Sequence, residues 1–144
     1  FENTLQRLLE MGALPVINEN DTVATDEIVI GDNDTLAAIV AQSVRADLLV
    51  LLSDIDGLYT ADPHKSKDAK IIPLVQEMTE AVLALGGGSA SSQGTGGMGT
   101  KLQAAKICMD CGCEMVIANG ADPENLYGIL DGEHIGTRFR RDQL

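Results

Sequence analysis

The sequence predicts an α/β domain of three layers, in which helices cover both faces of a mainly parallel β-sheet. Short apolar segments alternate with segments whose apolar residues recur at helical spacing, the pattern of strands connected by helices. The 144 residues suffice for one domain of ordinary size, and no internal repeat or linker divides them. Hydrophobic residues make up 44% of the chain while aromatics reach 3%, so the core is expected to be aliphatic.

The first part of the chain is expected to contain two helices and two strands. Apolar residues at helical spacing predict a helix over 4–11, and Gly12 supplies a natural stop. The short apolar run at 14–17 predicts a buried strand, and 35–46 again carries the helical pattern. The continuous apolar run at 48–52 predicts a strand covered on both faces, as in parallel sheets.

The second part continues the alternation. A short helix is predicted over 79–85, followed by a Gly/Ser-rich segment at 86–99. A helix over 101–111, a strand over 115–118 and a short helix over 123–130 complete the pattern. Because the chain opens in a helix, no preceding strand and phosphate loop are present. We therefore expect residues 1–144 to be one domain that represents the C-terminal portion of a larger one.

The charge balance excludes several classes of partner. Lys and Arg number 10 against 22 Asp and Glu, a net charge of −12. Such a surface repels phosphate backbones and anionic membranes, so general binding to nucleic acid or lipid is not expected. No apolar run approaches the ~20 residues of a membrane span, and no signal-peptide pattern opens the chain.

Three closely spaced cysteines, Cys108, Cys111 and Cys113, form a C-x-x-C-x-C sequence. Their odd number and close spacing argue against a disulfide framework. A structural zinc site needs four ligands, and His134 is the nearby histidine. We expect reduced thiols around a helix end and no metal site.

Polar motifs flank the loop that follows the predicted strand at 14–17. Residues 18–21 (Asn-Glu-Asn-Asp) follow it directly, and open α/β sheets bind ligands at the carboxyl ends of their strands. A carboxylate with flanking amides suits an amino acid, although an Asx-rich turn that satisfies its own backbone gives the same pattern. Residues 31–35 (Gly-Asp-Asn-Asp-Thr) carry more side-chain oxygens than helix capping requires, at a helix start that suits a carboxylate or phosphate.

Two further motifs are typical of nucleotide sites. Residues 53–63 follow the strand at 48–52, where nucleotide contacts commonly lie; a calcium loop is excluded because further ligands and the terminal Glu are missing. Residues 94–101 (Gly-Thr-Gly-Gly-Met-Gly-Thr-Lys) open a helix, and their glycines let backbone amides approach phosphates. Lys101 adds a cation for a transferring phosphoryl group, whereas a plain linker would not need a Lys where the helix dipole disfavours it.

These motifs, in this order, resemble those of the glutamate 5-kinases within the amino-acid kinase family. The later two motifs are shared across that family, with acetylglutamate, aspartate and uridylate kinases. The pair at 18–21 and 31–34 is the part that resembles glutamate 5-kinases. The resemblance covers nearly the whole chain and implies the amino-acid kinase fold. It also implies ATP-dependent phosphorylation of the γ-carboxylate of L-glutamate to L-glutamyl 5-phosphate, the first step of proline biosynthesis.

The resemblance implies a role for each matching residue. Glutamate is expected to bind Asp21 and Asn33, in a pocket that Asn18 and Asp32 shape. The catalytic residues would be Asp34, which orients lysines, and Lys101, which stabilises the transition state. The residues expected to contact ATP are Ser53, Asp54, Thr95, Gly96, Gly97, Met98, Gly99, Thr100 and Lys101. Mg²⁺ would be carried on the ATP phosphates. Members of the family are cytoplasmic, homo-oligomeric and often inhibited by proline.

The chain departs from the family pattern in places. The family's first strand, Gly-rich loop, catalytic Lys and a glutamate-binding Ser have no counterpart here, nor does the PUA domain of many bacterial members. Ser53 stands where Thr is frequent and keeps the hydroxyl. We therefore expect the isolated chain to be inactive. Two alternatives stay open: another amino-acid kinase, such as an N-acetylglutamate kinase, and a non-catalytic module that senses an amino acid or nucleotide.

Overall fold

A computed structural model describes residues 2–19, 31–87 and 97–142. Within these ranges the chain forms five helices and four strands. In chain order they are α1 (Glu2–Glu10), α2 (Asn33–Ser43), β1 (Leu48–Ser53), β2 (Leu74–Val75), α3 (Glu80–Ala84), α4 (Met98–Asp110), β3 (Glu114–Asn119), α5 (Asn125–Leu130) and β4 (Thr137–Phe139). None of these helices is long and apolar enough to cross a membrane.

The four strands form one sheet in the order β1-β3-β4-β2. β1 pairs with β3 in parallel, and β2 pairs with β4 in parallel. β3 and β4 run antiparallel, with Met115 opposite Phe139. The sheet is therefore mainly parallel, as predicted, with one reversal at its centre.

The central strand β3 separates two apolar clusters, because successive side chains of a strand point to opposite faces. Met115 and Ile117 are fully buried in the larger cluster, together with residues of α2 and α4. Val116 and Ala118 point the other way and pack with Ile129 of α5. Helices thus cover both faces of the sheet, which confirms the predicted three layers.

The predicted helices are all present, with shifted starts. α2 begins at Asn33 because the side chain of Asp32 caps it, and α4 begins at Met98, three residues before the predicted start. α5 begins at Asn125, two residues after Pro123. Gly12 has a φ of 75°, the left-handed conformation that ends α1 as expected.

The strand predicted over 14–17 is wrong, since residues 13–18 have no regular secondary structure. A strand requires a neighbour to complete its hydrogen bonds, and within the described residues the sheet ends at β1. Leu14 and Val16 are accordingly 87% and 90% exposed. The expectation that 48–52 is covered on both faces is also wrong, because Leu52 is 44% exposed. Within the described residues, β1 is the strand at this edge of the sheet.

The buried hydroxyl of Thr137 joins three segments that are distant in sequence. Its Oγ1 accepts a hydrogen bond from the Leu58 amide at 2.8 Å and donates to the Ile72 carbonyl at 2.6 Å. Thr137 has no exposed surface, so water cannot replace either bond. The loop after β1 is thereby attached to β4.

Replacing Thr137 with Val is expected to lower the free energy of unfolding by about 2–3 kcal/mol, because it leaves the buried Leu58 amide and the partly buried Ile72 carbonyl without this partner. Thr60→Val is the matched control: that hydroxyl also accepts from a backbone amide, Lys70 at 3.0 Å, but the contact is exposed. Urea unfolding of both variants measures the difference. Equal losses would contradict the role assigned to burial.

Candidate active site

The start of α2 is built by Asp32, whose two carboxylate oxygens both contact Thr35. Oδ1 accepts from the Thr35 amide at 2.6 Å, and Oδ2 accepts from the Thr35 hydroxyl at 2.9 Å. Asp32 therefore acts as the N-cap, and its predicted role in shaping a glutamate pocket stays a prediction. The cap places Asn33 and Asp34 in the first turn of the helix.

Asp34 meets the first turn of α4 in a compact polar cluster. The Lys101 ammonium lies 3.0 Å from Asp34 Oδ2, and the Thr100 hydroxyl donates to the same oxygen at 2.7 Å. The side chains of Lys101 and Asp34 are only 9% and 17% exposed. The structure therefore brings together the two predicted catalytic residues, which are 67 positions apart in the sequence.

The electrostatics of this cluster explain how a cation can be buried at a helix start. The amide dipoles of α4 disfavour a positive charge in its first turn, and burial removes water from the ammonium group. The carboxylate of Asp34 offsets both effects at hydrogen-bonding distance. Such an arrangement holds the Lys101 ammonium at the start of α4, where it could bind an anionic group.

A first cavity, with a volume of about 580 Å³, lies along α2 and is lined by Asn33, the residue before Asp34. Asn33, predicted to bind glutamate, and Asn18, predicted to shape the glutamate pocket, both line it. The remaining lining is largely apolar and comes from Pro15, Ile17, α2 and the start of β1. The side-chain amides of Asn18 and Asn33, in a cavity that is otherwise largely apolar, can hydrogen-bond a carboxylate. Asp21, the other residue predicted to bind glutamate, lies outside the described residues.

Ser53 and Asp54 lie at the carboxyl end of β1, as predicted. The Ser53 hydroxyl donates to Asp54 Oδ1 at 3.2 Å. Asn119 is paired with Ser53 in the sheet register, and its Nδ2 donates to Asp56 Oδ1 at 3.0 Å. The sequence interpretation missed Asn119, and it included Asp56 in the motif at 53–63 without giving it a role of its own. The position of Asn119 directly after the apolar run at 115–118 was the signal that could have found it.

A second cavity, of about 520 Å³, lies along the loop that follows β1, and Ser53 and Asp54 are not among the described residues that line it. The loop after β1 (residues 55–65), the end of α3 and Met98 at the start of α4 line it. The end of α3 packs tightly against α4, since a Cβ on Gly86 would lie 2.9 Å from Gly99 Cα. The cavity is large enough for a nucleoside, and the start of α4 forms part of its wall.

The Gly-rich motif is described only from Gly97 onward; Thr95 and Gly96 lie outside the described residues. Gly97 is the N-cap of α4 and has no side chain to cap the helix. The first amides of a helix lack partners within the helix, and such amides bind phosphate well. Gly97, Met98 and Gly99 therefore lie at the start of α4, and their contact with phosphates stays a prediction.

The three cysteines lie at the opposite end of α4. All three are free, with Cys108 and Cys113 buried and Cys111 exposed. Burial, aided by the nearby Cys113 thiol, raises the pKa of the Cys108 thiol to about 12, so this thiol stays protonated at neutral pH. Within the described ranges, no group of three or more His, Cys, Asp or Glu side chains is arranged to hold a metal ion.

Comparison with known proteins identifies the family from the sequence. The sequence pattern of the amino acid kinase family matches residues 1–119. A curated glutamate 5-kinase of Caldanaerobacter subterraneus is 57% identical over 94% of the chain, and one of Paramagnetospirillum magneticum is 59% identical over 90%. The chain spans only 37% and 35% of these two relatives.

Solved structures agree on the fold. The UMP kinase of Bacillus anthracis aligns with 99% of the chain at a TM-score of 0.68 and 19% identity, and the chain covers 52% of it. The T. acidophilum isopentenyl phosphate kinase product complex aligns with 97% at a TM-score of 0.62 and 21% identity, with 53% of it covered. This chain belongs to the amino acid kinase family.

Proposed function

We propose that this chain is part of a glutamate 5-kinase, which transfers the γ-phosphoryl group of ATP to the γ-carboxylate of L-glutamate. The contact between Asp34 and Lys101 is the observation that carries the proposal. It joins two helix starts, each of which helps to line one cavity: Asn33 lines the first and Met98 the second. The curated relatives named glutamate 5-kinase support the choice of substrate.

In this proposal the first cavity binds glutamate. The amide groups of Asn18 and Asn33 line one cavity and can hydrogen-bond the carboxylates of the amino acid. The carboxylate of Asp21 would pair with the ammonium group, and Asp32 would shape the site by fixing the start of α2. The apolar remainder of the wall would contact the side-chain methylenes.

The second cavity and the start of α4 would bind ATP. Ser53 and Asp54, which lie at the end of β1 and do not line the cavity, would contact the nucleotide from that end, while the segment from Thr95 to Thr100 would surround the phosphates. Mg²⁺, carried by the nucleotide phosphates, would neutralise part of their charge. This assignment is compatible with the lack of a dedicated carboxylate cluster among the described residues.

The chemistry requires neutralisation of charge more than covalent participation of the protein. An oxygen of the glutamate γ-carboxylate attacks the γ-phosphorus, the bond to the ADP oxygen breaks, and the products are L-glutamyl 5-phosphate and ADP. The Lys101 ammonium would stabilise the negative charge on the transferring group. Asp34 would hold Lys101 in place, and would orient a second lysine expected elsewhere in the full protein.

The short span of the chain relative to its relatives bears on activity. We propose that residues 1–144 form the C-terminal portion of the kinase domain and are inactive without the remainder. The full enzyme is proposed to be a cytoplasmic homo-oligomer. Inhibition by proline belongs to the same proposal.

The experiment is an ADP-release assay on the natural full-length protein with L-glutamate, N-acetylglutamate or aspartate, in which hydroxylamine traps the acyl phosphate. Turnover with glutamate alone is expected. Turnover with N-acetylglutamate alone would replace the proposed substrate, because an acetylated amine cannot pair with Asp21 as an ammonium does. Thermal stabilisation by glutamate without ADP release would favour a sensing module instead.

A further inference from the structure

Thr100 contacts the catalytic pair through its side chain, which its expected role in phosphate binding does not require. Its hydroxyl oxygen lies 2.7 Å from Asp34 Oδ2, the same oxygen that Lys101 contacts at 3.0 Å. Consecutive helical residues point about 100° apart, so two neighbours rarely reach one atom. Here Thr100 and Lys101 both reach Asp34 Oδ2, because Asp34 lies in the first turn of α2 and faces the first turn of α4.

The hydroxyl has a single proton and two acceptors within reach. Besides Asp34, the Gly97 carbonyl lies 2.9 Å away, one helical turn back. The Thr100 amide also approaches that carbonyl, at 3.2 Å. An ionised carboxylate is the stronger acceptor, and its distance is the shorter of the two, so the proton is directed to Asp34.

We propose that Thr100 is a positioning residue for phosphoryl transfer, because its hydroxyl fixes Asp34 Oδ2 at the point from which that oxygen holds Lys101. The inference rests on the proposed function. The β-branched side chain has few rotamers, so the hydroxyl is a stiff support.

The test compares Thr100→Val with Thr100→Ser in the natural full-length enzyme. Valine keeps the shape and removes the hydroxyl, while serine keeps the hydroxyl. Thr100→Val is expected to lower kcat by about 10- to 100-fold, as for the loss of a hydrogen bond to a charged group, with little change in the KM for ATP or for the carboxylate substrate. Thr100→Ser is expected to keep kcat within about threefold of the parent, since the hydrogen bond survives.

Two kinetic outcomes would overturn the inference. Equal losses of kcat in both variants would show that the methyl group, and not the hydroxyl, matters. A raised KM for ATP with kcat unchanged in Thr100→Val would make Thr100 a phosphate ligand. The assay uses whichever carboxylate substrate the parent enzyme phosphorylates, so an error in the proposed substrate leaves this comparison intact.

A second measurement needs no turnover at all. Thr100→Val is expected to lower the melting temperature of the parent, and to lower it much less in an Asp34→Ala background, where the carboxylate is already gone. Additive shifts in the double variant would refute the contact on which the inference depends. Failure of the proposed function would instead appear as a parent enzyme that releases no ADP.

Discussion

Replacing Lys101 with Met is expected to lower kcat by about 10³-fold in the full-length enzyme, while the KM values for both substrates change little. The ammonium group is the proposed stabiliser of charge that develops only in the transition state, and removal of such a group has about this effect. Methionine keeps the apolar stem that is buried at the start of α4. Steady-state kinetics with hydroxylamine trapping provides the measurement.

Lys106→Met is the matched control, because Lys106 lies on the same helix and is exposed. It removes the same charge and is expected to leave kcat within about twofold. The Lys101 variant should still fold, since Thr100 continues to donate to Asp34. A Lys101→Met enzyme with near-normal kcat and an unchanged melting curve would refute the catalytic role.

Replacing Gly136 with Ala is expected to lower the free energy of unfolding by about 4 kcal/mol or more, among the largest effects of single substitutions. Gly136 has a φ of 68°, and a Cβ there would lie 1.9 Å from the Ile117 carbonyl oxygen. That carbonyl belongs to the central strand, so the clash is with backbone that cannot move without separating β3 from β4. Chemical denaturation measures the loss.

Gly132→Ala separates the steric clash from the cost of the backbone angle. Gly132 has a similar φ of 84°, but a Cβ added there would have no described neighbour within 4 Å. Its replacement is expected to cost about 1–2 kcal/mol, the penalty of the left-handed conformation. If both variants lost the same stability, the tight approach of Gly136 to β3 would not matter.

The helices and the two longer strands were predictable because their signals are local. Apolar spacing and a capping side chain such as Asp32 act within a few residues. β2 and β4 have only two and three residues, too few for a periodic pattern, and they exist because distant segments pair. The strand predicted at 14–17 fails for the converse reason: an apolar run becomes a strand only beside a neighbour.

The types of residue in the site were predictable from the sequence, but the contacts between them were not. The sequence placed polar groups at strand ends and glycines before a helix, and the family resemblance assigned Asp34 and Lys101 to catalysis. No spacing rule could have predicted a 3.0 Å contact between residues 67 positions apart. The contact of Thr100 with Asp34 was also unforeseen, because it depends on how α2 and α4 pack.

The hydroxyl of Thr137 couples the loop that lines the second cavity to strand β4. It joins Leu58, which lines that cavity, to β4, 79 residues along the chain. A ligand that binds this cavity only while Leu58 is attached to Thr137 would also stabilise that attachment of β4, and loss of the attachment would lower the affinity of the ligand by the coupling free energy between the two. Thermodynamic reciprocity thus connects the affinity of any ligand in this cavity to β4, a strand 79 residues further along the chain.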